Sequence, residues 1–224
     1  MSRSLVLGLV IASSLALVGC SGSDGSSGDG GAGDSATTAA YLPVPDGVEL
    51  TAPGSQLAVG DPAVVAYHPR QGQVGALDIT VTDLEQAPMR AFSAWQLSAA
   101  QKQSNAYFVR ADVTNVGDTD LGGRDVPLYV VNEDDVLLEA TPFASSFKPC
   151  PSTPFPDKFG PGDEAKVCLV YLAPDHGSLE AVSFRPDETF NPITWTGDVV
   201  KYQPPEPTKK PSPEPTKKPG KQKQ

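Results

Sequence analysis

The chain has 224 residues and a formal net charge of −10 at pH 7, and its two ends differ in composition from its middle. Residues 21–40 are nearly all Gly, Ser, Asp, Ala and Thr, and residues 201–224 are mostly Pro and Lys, which leaves enough chain for one domain, 41–200. That domain carries 22 acidic and 9 basic side chains, so it would repel phosphates and we exclude nucleic acid as its partner.

The first 19 residues predict a lipoprotein signal peptide. Arg3 precedes an apolar run of 14 residues from 5 to 18, shorter than the roughly 20 that a permanent transmembrane helix needs. Leu17-Val18-Gly19-Cys20 resembles the lipobox of bacterial lipoproteins, whereas a plain secretory signal would not explain the cysteine. The resemblance implies that Cys20 carries diacylglycerol and begins the mature chain. We therefore expect an extracytoplasmic protein anchored to the cell membrane by its acyl chains.

Residues 20–40 form the expected lipid-anchored linker. The segment is rich in Gly and Ser and lacks the apolar side chains that would offset the entropy of ordering it. A flexible chain of this length would hold the domain about 25 Å from the membrane.

Short apolar segments separated by Gly and Pro turns predict an all-β domain over 41–200. Alternating apolar residues mark these strands, and no long helix is predicted. The segment 105–117 and the run at 126–131 are predicted to form the central hairpin of an antiparallel sandwich. Residues 86–104 are ambiguous between helical turns and an irregular crossover that carries Phe92 and Trp95 into the core. The predicted strands cover 48–51, 56–59, 63–67, 74–84, 106–115, 126–132, 136–138, 164–172, 179–185 and 193–196.

The domain contains two cysteines, Cys150 and Cys168, which predict a disulfide in an exported protein. A zinc site would need further ligands, and His68 and His176 have no suitable spacing. Cys150 lies in the proline-rich stretch 141–162 and Cys168 in a predicted strand. The bridge should therefore attach a loop to a strand instead of crossing the core.

The tail, residues 201–224, contains the motif PEPTKKP twice, and this proline content favours extended polyproline II over a packed core. The paired lysines Lys209, Lys210, Lys217 and Lys218 are candidate contacts to an anionic cell-wall polymer or to lipid headgroups. The alternative is a solvated, disordered tail.

Four stretches of the domain resemble a known family. They are PGSQLAVGDPAVV at 53–65, YFVRADVTNVGDTDLGG at 107–123, CLVYLAP at 168–174 and ITW at 193–195. They resemble secreted and lipoprotein-borne actinobacterial domains with a telokin-like, immunoglobulin-related sandwich, related to the mycobacterial immunoprotective extracellular antigen family. The resemblance covers roughly 48–196 and implies an immunoglobulin-like fold. It carries over no catalytic or binding residue.

No enzyme motif is present, since the sequence lacks G-x-S-x-G, H-E-x-x-H and a phosphate-binding loop. Asp118, Asp120 and Asp125 faintly suggest a calcium loop, but turn aspartates that bond their own backbone are favoured, and no metal or cofactor is expected. The sequence therefore predicts a non-catalytic envelope lipoprotein that binds a protein or polymer. The alternative is a lipoprotein that binds or senses a small ligand or metal ion, and an enzyme with a site assembled from scattered residues ranks below both.

Overall fold

The fold is known from a computed structural model, which describes residues 40–204 except 144 and 146. The predicted lipid attachment site Cys20, the linker before residue 40 and the four tail lysines lie outside the described residues. No helix in the described part of the chain is long and apolar enough to cross a membrane.

Ten strands form two sheets, which confirms the predicted all-β sandwich. Sheet A has the order β1-β9-β8-β5-β6, and sheet B has the order β10-β3-β4-β7 with β2 also paired to β3. All pairings are antiparallel except β1 with β9 and β10 with β3. The strands are β1 Gln56–Ala58, β2 Pro62–Tyr67, β3 Gly75–Ala87, β4 Asn105–Asn115, β5 Tyr129–Asn132, β6 Leu137–Leu138, β7 Glu164–Ala173, β8 Leu179–Phe184, β9 Ile193–Thr196 and β10 Val199–Lys201.

The main core lies between the sheets and follows from the alternation seen in the sequence. In β4, Val109, Ala111 and Val113 are buried against sheet A, so the residues between them point to the outer face of sheet B. Trp195 of β9 closes the core from sheet A, where its Nε1–H donates to the carbonyl of Asp61 at 3.0 Å. Each sheet thus buries one face against the other.

The predicted hairpin between the segments at 105–117 and 126–131 is wrong. Both edges of β4 are occupied by strands of its own sheet, β3 on one side and β7 on the other. The chain leaves β4 and crosses to sheet A, where β5 pairs with β8 and β6. This connection buries Leu121, Val126 and Leu128 in the main core. Burying these side chains between the sheets outweighs the short local pairing that the turn residues suggested.

A second apolar cluster covers one half of the outer face of sheet B. Two short 3-10 helices, Met89–Phe92 and Gln101–Gln103, lie in the segment that sequence reasoning left ambiguous. Phe92 is fully buried in this second cluster and Trp95 packs against it, so neither enters the main core. The Phe92 ring stacks on Phe147 with centroids 4.9 Å apart. The cluster also contains Phe108, Phe143, Cys150, Cys168, Val170 and Tyr202.

Two further differences concern the ends of the domain. Residues 48–51 are not a strand, because only Thr51 bonds to β2: its N–H donates to the Val64 carbonyl and its Oγ1 accepts from the Val64 N–H. Strand β10 was not predicted and includes Lys201, which the composition assigned to the tail. The next residue, Tyr202, packs on Phe108 with ring centroids 5.0 Å apart. The described fold therefore continues past residue 200.

Candidate functional site

The second half of the outer face of sheet B is polar and uncovered, and we call it the open face. It holds a groove of about 590 Å³ whose floor includes Arg110, Asp112 and Lys166 and whose wall includes Pro151 and Pro154. The alternation of β3, β4 and β7 positions these floor side chains, because their neighbours along each strand are buried in the main core. The open face comprises Asp78, Thr80, Thr82, Asp83, Glu85, Arg110, Asp112, Thr114, Glu164 and Lys166.

Two ion pairs lie across the strands of the open face. Arg110 Nε donates to Glu85 at 2.9 Å, and Lys166 Nζ donates to both carboxylate oxygens of Asp112 at 2.8 and 2.9 Å. The hydrogen bond to Asp112 and its charge raise the pKa of the Lys166 ammonium. Five carboxylates and two cations share this face, so its net charge is −3. The open face is therefore acidic although both of its cations are paired.

Asp78 and Asp83 extend the acidic character of the open face. Burial raises the pKa of the Asp78 carboxyl, whose Oδ1 is buried and accepts no hydrogen bond among the described residues. Asp83 follows a bulge in β3, between Val81 and Asp83, and is exposed. The bulge adds one residue to β3, so that Asp83 lies opposite Arg110 and its side chain joins the rim of the groove.

The proline-rich wall of the groove is attached to the sandwich at three points. The predicted disulfide between Cys150 and Cys168 is confirmed, and it joins this loop to β7 without crossing the main core. Ser152 Oγ donates to the Thr141 carbonyl and accepts the N–H of Val170, both at 3.1 Å. Beyond the wall, Phe155 is buried in the main core. The wall is thus held in place by contacts within the domain.

Asp120 is a turn residue whose carboxylate bonds to backbone N–H groups. Its Oδ1 accepts the N–H groups of Gly122 and Phe159, each at 2.9 Å, and these bonds lower the pKa of its carboxyl. The backbone-bonding role predicted for this aspartate is confirmed. In residues 40–204 outside the two gaps, no three His, Cys, Asp or Glu residues are placed to hold a metal ion, and Asp118 and Asp125 do not join Asp120 in such a group.

His68 and the acidic turn before β6 make local contacts in the described part of the chain. The His68 ring bonds only the carbonyl of Gln73, at 2.9 Å. Glu133 occupies the predicted turn before β6 and accepts the N–H and the hydroxyl of Ser178. Its own backbone N–H and these contacts lower the pKa of Glu133. These contacts connect the turn between β5 and β6 to the segment before β8.

The sequence alone does not identify the groove residues, although the alternation of polar and apolar residues in β4 points to some of them. Arg110 and Asp112 alternate with Val109 and Ala111, which marked one polar face of β4. The pattern did not show that Lys166 of β7 would lie opposite Asp112, because that register follows from the pairing of distant strands. Only the tertiary structure brings these residues to one surface.

Comparison with known proteins adds no relative. No protein-family model matches the chain, and no curated protein or solved structure matches it either.

Proposed function

We propose that this chain is a non-catalytic, lipid-anchored protein of the cell envelope whose immunoglobulin-like sandwich binds an extended protein or polymer. The observation that carries the binding role is the groove on the open face, with the exposed Lys166–Asp112 ion pair on its floor and a wall held by a disulfide. The lipobox ending at Cys20 supports the location outside the cytoplasm.

The shape and chemistry of the groove favour an extended partner. Pockets for small molecules enclose most of their ligand and are lined mainly by apolar groups. The groove is instead open to solvent, and its floor presents the charged groups of Arg110, Asp112 and Lys166. An extended chain lying across β3, β4 and β7 could bond to these groups in succession.

The immunoglobulin-like assignment is supported by the two packed sheets and by where the resemblance falls. The stretches at 53–65 and 168–174 coincide with β1, β2 and β7, and the ITW stretch begins β9. These are strand and turn positions, which is what a shared fold without a shared active site requires.

The anchor is tested by growing the host with an alkyne-tagged fatty acid. The wild-type chain should incorporate the label and sediment with membranes after a high-salt wash, and Cys20→Ser should do neither. Unchanged labelling and sedimentation of Cys20→Ser would show that the anchor is wrongly assigned.

The groove is tested with a non-lipidated chain that begins at Ser21, by co-sedimentation with isolated envelopes. Lys166→Glu reverses a charge on the groove floor, and Arg70→Glu makes the same change in an exposed turn between β2 and β3. We expect Lys166→Glu to weaken binding by about tenfold, the effect of about 1.4 kcal/mol, and Arg70→Glu to leave it unchanged. Equal behaviour of the two variants would place the binding surface elsewhere.

The tail lysines are proposed to contact anionic polymer or headgroups, each contributing about 1 kcal/mol near such a surface. The same co-sedimentation should weaken with added salt and on changing Lys209, Lys210, Lys217 and Lys218 to Gln. Association that is insensitive to both changes would contradict this role.

A further inference from the structure

The described chain ends beside the open face. The N–H of Tyr202 donates to the carbonyl of Gln86 in β3 at 3.0 Å, and its ring packs on Phe108 in the second cluster. In β10 the preceding Val200 lies next to Glu85, which belongs to the open face. The tail therefore begins at the boundary between the covered and uncovered halves of sheet B.

The tail is long enough to return to Asp83 at the rim of the groove. Lys209 follows Tyr202 by seven residues, about 22 Å at the polyproline II rise of 3.1 Å per residue. Asp83 precedes Gln86 by three residues along β3, about 10 Å. Strand β10 runs towards the Ala87 end of β3, so the tail has to reverse direction, and the chain between Tyr202 and Lys209 has length to spare for that reversal.

Charge favours this contact over an open, solvated tail. Residues 205–224 contain six lysines and two glutamates, a net charge of +4, whereas the open face carries −3. On the open face, Arg110 forms an ion pair with Glu85, and Lys166 forms one with Asp112. Among the described residues, Asp83 and Glu164 form no ion pair. These two exposed carboxylates are the ones left to accept the ammonium groups of a basic segment.

We propose that the Pro/Lys-rich tail, residues 205–224, docks on the open face of its own domain, where its lysines pair with Asp83 and Glu164. Tethering places the lysines at an effective concentration on the order of millimolar, so even weak contacts are populated. This inference goes beyond the proposed function because it requires neither the lipid anchor nor an envelope partner.

Zero-length carbodiimide coupling tests the contact on the full mature chain with Cys20→Ser. The reagent joins an ammonium to a carboxylate only when the two touch, and the Lys166–Asp112 pair serves as an internal calibrator. We expect peptides linking Lys209, Lys210, Lys217 or Lys218 to Asp83 or Glu164, severalfold more abundant than links to the exposed Asp134 and Glu139. These links should disappear at about 1 M NaCl, where the screening length is about 3 Å.

Matched variants and isotope labels decide the outcome. Asp83→Asn with Glu164→Gln should remove most tail links, whereas Asp134→Asn with Glu139→Gln should leave links to the open face unchanged. Links spread evenly over all exposed carboxylates would overturn the proposal, as would tail links insensitive to the first pair of substitutions. A mixture of ¹⁴N and ¹⁵N chains identifies links between molecules, and a predominance of those would overturn docking within one chain in favour of a second copy.

Discussion

Asn115 is the residue whose replacement tests most directly how the loops around β4 are held. Its side chain is fully buried at the end of β4. The amide Nδ2 donates to the carbonyls of Thr119 at 2.8 Å and Phe159 at 2.7 Å, and Oδ1 accepts the N–H of Gly117 at 3.0 Å. One amide group therefore joins the turn after β4 to the loop before β7.

The expected cost of Asn115→Ala follows from what each partner retains. After the substitution the Phe159 carbonyl still accepts the N–H of Leu121, and the Gly117 N–H still donates to the Ala76 carbonyl. Because both groups keep one hydrogen bond, the loss of each bond to Asn115 should cost about 1 kcal/mol. Among the described residues the Thr119 carbonyl has no other donor, and leaving such a group unpaired costs about 1–3 kcal/mol. We expect the free energy of unfolding to fall by about 3–5 kcal/mol, measured by urea denaturation at equilibrium.

Asn105→Ala is the matched control, because Asn105 begins the same strand and its Nδ2 also donates to two carbonyls, those of His176 and Gly177. Asn105 is only half-buried, so water can replace the lost bonds, and we expect a cost of about 1 kcal/mol or less. A cost for Asn115→Ala no larger than that of Asn105→Ala would refute the assignment of Asn115 as the link between the two loops.

Three further predictions concern the disulfide, the core and the acid limit of stability. Replacing both Cys150 and Cys168 by Ala should lower stability by about 3 kcal/mol, or Tm by about 6–12 °C in thermal unfolding, since the bridge spans 18 residues; an unchanged Tm would contradict its role. Trp195→Phe should lower the free energy of unfolding in urea by about 2 kcal/mol or more. The remaining tryptophan fluorescence should come from the partly exposed Trp95 and be red-shifted. A blue-shifted remaining spectrum would contradict the assignment of Trp195 as the buried tryptophan and Trp95 as the partly exposed one. The folded-state pKa of Asp120 lies below its ordinary 3.8, so its contribution is present above that value and is lost as pH falls through the folded-state pKa. The stability gap between wild type and Asp120→Asn should therefore close below pH 3.8, and a gap that widens on acidification would reverse the sign of this argument.

Local pattern was sufficient for most of the strands and for the covalent link. The alternation of Val109, Ala111 and Val113 with polar residues predicts a strand with one buried face, and the structure has β4 there. Two cysteines in the domain, in a chain that is expected to be exported, predict a bridge, and the bridge joins a loop to β7. Both inferences depend on neighbours along the chain or on counting, so they need no knowledge of which strands meet.

The pairing of strands could not be read in the same way. The alternation of apolar and polar residues predicts that one face of β4 is buried, but it does not predict which strand pairs with β4. The turn residues after Asn115 suggested the wrong pairing partner. The chain instead buries Leu121 and Leu128 while crossing to sheet A. Such long-range burial decides topology because it depends on residues that are distant in sequence.

The candidate site is the clearest case of this division. Alternation along β4 is enough to predict that Arg110 and Asp112 share the polar side of one strand. The tertiary structure alone decided that Lys166 and Asp83 stand beside them, and that a proline-rich loop clamped by a disulfide makes a wall next to them. The physical reason is that side chains of a strand alternate with a period of two, so the sequence shows which of its faces is buried. A groove needs several strands and a loop placed in one register, and that placement depends on the packing of the whole domain.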